Sequence, residues 1–382
     1  MQISKYILSI SVPSLIFLAG CDKVKELQNS ITSSSVPTVI SKKLDFQTTE
    51  NTGKIVINPQ FDDAQDFSEG LAVVKIGNNY GFIDKLGKFV INPQFDAAQD
   101  FSEGLAAVAI GNKWGFIDKL GKMEINPQFG YADRFKDGLA EIIIGDKHGF
   151  IDKQGKMVIN PQFDFTFGFS EGLAAVVIGN NLTGKSGYID KRGNFVINPQ
   201  FDPRVRSGVN FSANNFSEGL AAVAIGDKYG FIDKQGKIVI NPQFDEAQDF
   251  KEGLAGVTIA HKYGFIDKQG KFVINPQFDA TSGFYEGLAL VSIEDNLTGK
   301  WGFIDKQGKF VINPQFRDAS LFSEGLAAVL IGDQKSGKWG FIDKQGKMVI
   351  NPQFGSAERF LDGLSKITIG DPTTGKKGYI SR

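Results

Sequence analysis

The sequence predicts an all-β fold made of tandem repeats, and three observations lead to this prediction. The tetrapeptide Asn-Pro-Gln-Phe occurs nine times at spacings of 34 to 43 residues, which is the signature of a repeat architecture. An acidic residue followed by Gly-Leu, and a Gly followed by Phe or Tyr and then Ile, also occur nine times each. Between them lie short runs of Val, Ile, Phe and Ala bounded by Gly, Asn, Asp and Pro, which is typical of strands.

The N-terminus predicts an export signal rather than part of the fold. Residues 1–20 carry one early Lys and an apolar stretch from Ile7 to Ala19 that is short for a membrane span. The four residues that end at Cys21, Leu-Ala-Gly-Cys, resemble the lipobox of bacterial lipoproteins, in which the cysteine is lipidated and becomes the first residue. We therefore expect a lipoprotein signal peptide over 1–20 and lipidation at Cys21. The alternative is an ordinary signal peptide.

Residues 21–53 predict a lipidated cysteine followed by a flexible tether. The stretch is polar, rich in Ser and Thr, and shows no convincing period. Asp22 resembles the inner-membrane retention signal of enteric-type lipoproteins, which favours the periplasmic face of the inner membrane. We expect a protein of the bacterial cell envelope, lipid-anchored there or alternatively at the outer membrane or surface, with the repeats over 54–382.

Three strands are predicted in each repeat unit, as in Leu105 to Ile110, Gly115 to Asp118 and Phe89 to Phe95. Proline breaks a central ladder, so Asn-Pro-Gln-Phe is expected at a strand end or on an edge strand. The sequence Asp-Lys-Gln-Gly-Lys that begins at Asp233 predicts a tight hairpin. In this hairpin Gly236 takes a positive φ and the Asp233 carboxylate accepts bonds from the turn backbone.

The first of these strands indicates which face is buried. Its second, fourth and sixth residues are nearly always apolar, whereas the positions between them admit Lys75, Glu141 and Lys366. Such alternation places one face on a core and leaves the other partly wet, so we predict an open, twisted or superhelical array. The alternative is a closed β-propeller. The observation that supports this alternative is that the array starts on its third strand, Ile55 to Phe61, and stops on its second, Gly378 to Ser381, and a ring can pair such ends.

Three copies of the unit contain Lys-Trp-Gly-Phe-Ile-Asp, beginning at Lys113, Lys300 and Lys338. They resemble the WG (KWG) repeat family of bacterial proteins, and the resemblance extends over about 54–382. It implies an all-β repeat module that serves as an interaction scaffold and has no common catalytic residues. In the other copies the Trp is replaced by Tyr80, His148, Ser186, Tyr229, Tyr263 and Lys377.

Composition excludes several classes of function. The chain has 42 basic and 43 acidic residues among 382, so no overall positive field attracts nucleic acid or acidic lipid. One Cys excludes a disulfide framework, and two His, 113 residues apart, argue against a His-based triad or metal centre. No phosphate loop or nucleophile elbow is present. We expect no enzyme activity, no catalytic residue, no metal and no cofactor.

Aromatic residues before the repeat Gly are the candidate ligand contacts. A stripe of rings can stack on sugar faces or grip a peptide, and the alternative is that each ring packs within its own repeat. The Asp202–Asn215 insertion, basic through Arg204 and Arg206, is either a binding loop or a tolerated insertion. The nine acids before Gly-Leu lack a calcium-loop pattern and are expected to cap turns. The candidate rings are Tyr80, Trp114, Tyr229, Tyr263, Trp301 and Trp339.

The sequence therefore predicts a lipid-anchored repeat scaffold of the envelope that binds another protein through an extended β surface. The partner is expected to be an envelope protein, with the membrane contacted through the N-terminal lipid and no nucleic acid bound. The alternative is a module that binds a glycan or peptidoglycan through the Trp and Tyr rings.

Overall fold

The structure, a computed structural model, describes residues 53–179, 184–202, 205–206, 209–210, 214–293 and 300–382. Every regular element in these residues is a β-strand or an isolated bridge. Within this part of the chain, no helix is long and apolar enough to cross a membrane. The predicted signal peptide (1–20), Cys21, Asp22 and the tether up to residue 52 lie outside the described residues.

The strands form nine small antiparallel sheets, which are the blades of a nine-bladed β-propeller. A complete blade has four strands, named a, b, c and d in their order across the sheet. The first three blades are β2 (Asp63–Ala64), β3 (Leu71–Ile76), β4 (Asn79–Asp84) and β5 (Phe89–Phe95); β6 (Ala97–Ala98), β7 (Ala106–Ile110), β8 (Lys113–Ile117) and β9 (Met123–Phe129); and β10 (Tyr131–Ala132), β11 (Ala140–Ile144), β12 (Lys147–Ile151) and β13 (Met157–Phe163).

The next three blades include the one that follows the insertion, in which strands b, c and d are described. They are β14 (Phe165–Ser170), β15 (Leu173–Ile178), β16 (Lys185–Ile189) and β17 (Phe195–Phe201); β20 (Ala221–Ile225), β21 (Lys228–Ile232) and β22 (Ile238–Phe244); and β23 (Glu246–Ala247), β24 (Ala255–Ile259), β25 (Lys262–Ile266) and β26 (Phe272–Phe278). Within the insertion, β18 (Val205–Arg206) and β19 (Val209–Asn210) form a separate hairpin.

The last three blades end with the strand that closes the ring. They are β27 (Ala280–Tyr285), β28 (Leu288–Ile293), β29 (Lys300–Ile304) and β30 (Phe310–Phe316); β31 (Asp318–Ala319), β32 (Leu326–Ile331), β33 (Lys338–Asp343) and β34 (Met348–Phe354); and β35 (Ser356–Ala357), β36 (Leu364–Ile369), β37 (Lys376–Ser381) and β1 (Lys54–Phe61).

The predicted turn and edge features are present in these blades. Gly236 has a φ of 80°, and the Asp233 carboxylate accepts hydrogen bonds from the N–H groups of Gln235 at 3.0 Å and Lys237 at 2.9 Å. Asn-Pro-Gln-Phe lies on strand d, which is the edge of its sheet. A bulge interrupts the pairing of strand d with strand c at this point, so no ladder hydrogen bond from the proline nitrogen is needed. Strand a was not predicted, because in most blades it has only two residues.

The prediction of an open array is wrong, and the alternative of a closed propeller is correct. The first strand, β1, pairs with the last, β37, and supplies strand d of the ninth blade. Phe61 of β1 packs with Phe67 of the first blade and Tyr379 of the ninth in one buried cluster. In the described residues there are nine such clusters between blades. Nine units in an open row have eight interfaces, so nine interfaces require a ring.

The error arose from the charged residues on strand b, which were interpreted as facing water. In fact, both faces of strand b are buried: Val108 packs towards the first blade and Ala107 towards the third. The charges have partners within the interfaces. Glu141 is 2.5 Å from His148 Nδ1, and Lys366 Nζ donates to the Ala64 carbonyl at 2.8 Å. The alternation of apolar and charged residues along strand b therefore does not mean that one of its faces is exposed to solvent.

Neighbouring blades are also joined by what we call the inter-blade latch, made of the acid before Gly-Leu and a cation that follows strand c of the next blade. Lys153 Nζ donates to the Glu103 carbonyl at 2.9 Å and lies 3.1 Å from its carboxylate, which also accepts from the Gly138 N–H at 3.1 Å. Nine latches close the circle: Lys85–Asp362, Lys119–Glu69, Lys153–Glu103, Lys191–Asp137, Lys234–Glu171, Lys268–Glu218, Lys306–Glu252, Lys344–Glu286 and Arg382–Glu324.

The acids that the sequence predicts to cap turns do so between blades, since the Glu103 carboxylate accepts from the N–H of Gly138 in the a–b turn of the next blade. All nine have φ between 51° and 58°, a left-handed conformation that costs a non-glycine residue about 1 kcal/mol or more. That conformation turns the carbonyl and the carboxylate towards the next blade. There the cation donates to the carbonyl in all nine latches, and in the eight latches formed by a lysine it also lies 2.7 to 3.8 Å from the carboxylate. The a–b and c–d turns of all blades therefore share one end of the ring, which we call the latch end; the b–c turns and Asn-Pro-Gln-Phe lie at the other, the NPQF end.

The latch predicts a dependence of stability on pH. Burial by itself would raise the pKa of the Glu103 carboxyl, but the hydrogen bonds from Lys153 and Gly138 outweigh it and hold the pKa below its ordinary value. A carboxyl whose pKa is lowered on folding stabilises the fold above its unfolded pKa, and this contribution is lost as the pH falls through the folded pKa. We expect Glu103→Gln to lower the melting temperature at pH 7, and the difference from wild type to shrink below about pH 4. Melting curves from pH 7 to pH 3 test this; a difference that stays constant would contradict it.

Candidate functional site

The six predicted aromatic residues occupy the same position in six blades. Each is the second residue of strand c, next to the b–c turn. Each is paired across the sheet with the Phe of Asn-Pro-Gln-Phe on strand d, as in Trp114 opposite Phe129. The pairs are Tyr80–Phe95, Trp114–Phe129, Tyr229–Phe244, Tyr263–Phe278, Trp301–Phe316 and Trp339–Phe354.

All six rings are partly buried, and each packs against a different inter-blade core. Trp114 makes an edge contact with Tyr131 of the next blade, with 5.3 Å between ring centroids. The Tyr263 hydroxyl donates to Glu246 at 2.6 Å. The structure therefore distributes the rings around the circle, one to a core, and does not gather them into a single pocket. The six cores are those of the clusters that contain Phe82, Phe116, Phe231, Phe265, Phe303 and Phe341.

The Gly that follows the ring has a packing role that its backbone angle does not reveal. At Gly115, an added Cβ would lie 2.3 Å from the Ile125 carbonyl oxygen and 2.7 Å from the Pro127 nitrogen. The bulge of strand d thus lies directly over strand c, and only a residue without a side chain fits beneath it. The equivalent Gly in all nine blades has the same contact at 2.3 to 2.6 Å.

Sequence analysis missed a set of polar bridges at the NPQF end. Asp164, which follows Asn-Pro-Gln-Phe, accepts from Lys147 Nζ of its own blade at 2.5 Å and from the Gly179 N–H of the next blade at 2.8 Å. Both bonds hold the pKa of Asp164 below its ordinary value, with the lysine as the larger cause. A Lys and an Asp that recur 17 residues apart were the available signal.

Burial also perturbs titratable groups away from the rings and the polar bridges. Burial raises the pKa of Asp100 and Asp249, which lie in different blades. Burial also raises the pKa of Glu141 despite its bond to His148. In the described ranges, no three Asp, Glu, His or Cys side chains are arranged to hold a metal ion.

The insertion is described only in part, and Arg204 lies outside the described residues. Asp202 at its start bridges Lys185 and the Gly226 N–H, as the other bridging acids do. An open depression of 480 Å³ lies in the eighth blade between the b–c turn and the bulge of strand d, lined by residues that include Ser336, Lys338 and Asn351.

A family model described as WG containing repeat matches ten segments of the chain. Two of them, 187–202 and 212–229, flank the insertion and together make one unit, so the ten segments correspond to nine repeats. The segments are 51–80, 80–114, 114–147, 149–181, 187–202, 212–229, 229–260, 263–296, 301–334 and 339–371.

Among curated proteins, none matches this sequence. Two of the solved structures with a similar fold are Hsv2 from Kluyveromyces lactis and dipeptidyl peptidase 4 from Porphyromonas gingivalis. The first is 11% identical with a TM-score of 0.37, covering 75% of this chain and 98% of Hsv2. The second is 9% identical with a TM-score of 0.47, covering 81% of this chain and 65% of the peptidase. At these identities and scores, neither likeness bears on what this chain does.

Proposed function

Since this chain belongs to the family of proteins with the WG repeat, we propose that it is a lipid-anchored scaffold of the bacterial envelope that binds another protein through its β surface. The observation that carries this is the repeated outer strand. In seven of the nine blades both the Asn and the Gln of Asn-Pro-Gln-Phe on strand d are exposed. A partner that follows these strands makes many weak, similar contacts.

The same strand argues against binding by strand addition. Pro127 removes a backbone donor and the bulge bends the edge, and both features protect an edge strand from pairing with another chain. The partner is therefore bound by side chains such as Asn126 and Gln128. No enzyme activity is proposed.

A photo-crosslinking residue placed on the outer strand tests the scaffold. In living cells, a benzoyl-phenylalanine at Asn126 is expected to crosslink to one defined envelope protein. The matched control is the same residue at Gln235, which is also exposed but lies in a turn at the latch end, and it is expected to give no such adduct. Adducts at neither position, or equal adducts at both, would contradict the proposal.

Anchoring through Cys21 is the second part of the proposal, and it rests on the lipobox resemblance. We expect Cys21→Ser to release the protein from the membrane fraction or to leave it unprocessed, because the thioether to the lipid can no longer form. Several acyl chains on one N-terminus anchor stably, whereas an unlipidated chain does not. Fractionation and mass spectrometry of the N-terminus measure this; normal processing and unchanged membrane association would refute it.

Glycan binding is the second candidate, favoured by the partial exposure of the rings. Trp301 packs against the core between the seventh and eighth blades, so we expect Trp301→Ala to cost roughly 2 kcal/mol, below the range for a fully buried Trp. Combining it with Trp114→Ala and Trp339→Ala should lower the melting temperature further. A triple variant that melts like wild type but loses peptidoglycan binding would make the glycan module the better proposal.

A further inference from the structure

The acid that follows Asn-Pro-Gln-Phe shows how this fold binds a carboxylate. Six of the nine copies have Asp there. Asp164, which bridges Lys147 and the Gly179 N–H, shows the arrangement that these copies share. Where the neighbouring turn is described, a turn N–H is bonded in every case, and a Lys is bonded wherever one is present. The six acids are Asp62, Asp96, Asp164, Asp202, Asp245 and Asp279. The repeat therefore carries a two-donor carboxylate site between blades and fills it with its own side chain.

Three copies lack this Asp, and they are the three that carry Trp. Gly130 follows the Trp114 copy, Arg317 the Trp301 copy and Gly355 the Trp339 copy. The Lys of the site is nevertheless retained in all three, as Lys113, Lys300 and Lys338. These interfaces keep a donor whose usual internal acceptor is missing.

Only the interface between the second and third blades keeps the complete geometry. At Gly355 an added Cβ would lie 2.1 Å from the Gly370 carbonyl oxygen, so the neighbouring turn occupies that space. At position 317 an arginine side chain stands instead, with its guanidinium 3.5 Å from Gln334. At Gly130 the nearest atom to an added Cβ is the Ile143 carbonyl oxygen at 3.1 Å, a tight but accessible approach.

The backbone at Gly130 lies as it does at the acids. Its N–H donates to the Ile143 carbonyl at 2.8 Å, as the Asp164 N–H donates to the Val177 carbonyl at 3.0 Å. In strand order Gly130 follows Phe129, the partner of Trp114, so it is opposite Lys113. The backbone at Gly130 is thus arranged as at Asp164, but Gly130 has no side chain and therefore no carboxylate.

Two donors at this interface are left without a protein acceptor among the described residues: Lys113 Nζ, which is exposed, and the N–H of Gly145 in the b–c turn of the third blade. Asp146 lies beside Gly145, but its charge does not exclude an anion. Asp227 has the same position beside Gly226, whose N–H is bonded to the Asp202 carboxylate. A hydrogen bond from an ammonium to a carboxylate is among the stronger ones in proteins.

We infer that Lys113 and the Gly145 N–H bind a carboxylate of a partner protein, an Asp or Glu side chain, next to the partly exposed Trp114. This inference rests on the proposed scaffold function for the nature of the partner, whereas the carboxylate site stands on the repeat geometry alone. The incoming side chain takes the place that Asp164 fills one blade further on, and the indole contributes an apolar wall beside it.

Acetate is the probe for the site itself. In the ¹⁵N-labelled full chain, acetate is expected to shift the Gly145 amide resonance in a saturable way, and acetamide, its neutral analogue, is not. Gly130→Asp places the repeat's own carboxylate in the site and should abolish the shift. Gly130→Ala adds the Cβ alone and should keep it, which separates the charge from the change at the backbone. No saturable shift, an equal shift with acetamide, or a shift that survives Gly130→Asp would overturn the inference.

The converse variant tests whether the bridge is a general carboxylate site. Asp164→Gly is expected to create acetate binding that is reported by the Gly179 amide, and Lys113→Gln should weaken acetate binding at Gly145 at least fivefold. Melting curves accompany every variant, so that a chain that does not fold is recognised. If Asp164→Gly prevents folding, the Lys113→Gln titration decides alone, and unchanged acetate affinity there refutes the role of the ammonium.

The nature of the partner is tested with two ligands that carry the same group. A capped Gly-Glu-Gly peptide and glucuronate are titrated against the Gly145 amide, and the peptide is expected to bind at least as tightly. Tighter binding of glucuronate would overturn the assignment to a protein partner and leave the site intact. A failed crosslink at Asn126 with intact acetate binding would refute the scaffold function alone, so the two failures are distinguishable.

Discussion

Phe61→Ala is expected to lower the free energy of unfolding by about 3 to 5 kcal/mol, the cost of removing a fully buried Phe from a core. Phe61 belongs to β1, has no exposed surface, and packs between the ninth and first blades. In a closed ring this interface is as tight as any other. The matched control is Phe278→Ala, because Phe278 holds the same position between the sixth and seventh blades and is also buried.

Thermal and urea unfolding of both variants measure the difference. Equal losses are expected, since the two side chains fill equivalent cores. In an open array Phe61 would lie in a terminal unit with a neighbour on only one side. A loss for Phe61→Ala that is well below that for Phe278→Ala would therefore contradict closure. A second check is a Cys pair at Lys54 and Ser381, which are paired in β1 and β37 and should form a disulfide that links the two ends.

Gly115→Ala is expected to cost about 3 kcal/mol, although alanine normally stabilises a strand relative to glycine. The added methyl group would lie 2.3 Å from a backbone oxygen of the bulge, which cannot move as a flexible side chain would. The matched control is Gly104→Ala, where φ is 89° but no atom lies within 4 Å of the new Cβ. That change should cost about 1 kcal/mol, from the left-handed backbone alone.

Which of the two substitutions costs more stability, Gly115→Ala or Gly104→Ala, shows why the Gly of strand c is repeated. If conformational freedom were the reason for the repeated Gly of strand c, Gly104→Ala would be the more damaging change, because only Gly104 has a positive φ. Chemical denaturation of the two variants in parallel decides between the explanations. A mild effect at Gly115 together with a strong effect at Gly104 would show that the contact with the bulge does not constrain the sequence.

Local features of the fold were predictable, whereas features between blades were not. The turn at Gly236 and Asp233 was predictable because its hydrogen bonds and its positive φ involve only five consecutive residues. The burial of Glu141 was not predictable, because its position on strand b was assigned to the wet face and its partner His148 lies on the neighbouring strand c. The ring closes through β1 and β37, which are separated by more than 300 residues, and no periodicity within one unit reports such a contact.

The candidate site was predictable to a similar degree. The positions of the six rings follow from the repeat, so their common place on strand c is clear from sequence. Contacts with the next blade, such as that between Trp114 and Tyr131, depend on how the blades pack and could not be predicted. The bridge between Asp164, Lys147 and Gly179 joins two blades as well, and its signal in the sequence is a Lys and an Asp that recur 17 residues apart.

The pairing of β1 with β37 has a consequence for how the chain reaches its native state. The first strand of the described residues completes the last blade, and the Tyr379 hydroxyl donates to the Gln65 carbonyl across 314 residues. The entropy of closing so long a loop grows only with the logarithm of its length, but contacts of such separation form late and slowly. We therefore expect β1 to stay unpaired until the ninth blade forms. Its proline at position 59 limits pairing with other chains during that wait, so the proline that interrupts the ladder in the finished ring also protects the unfinished one.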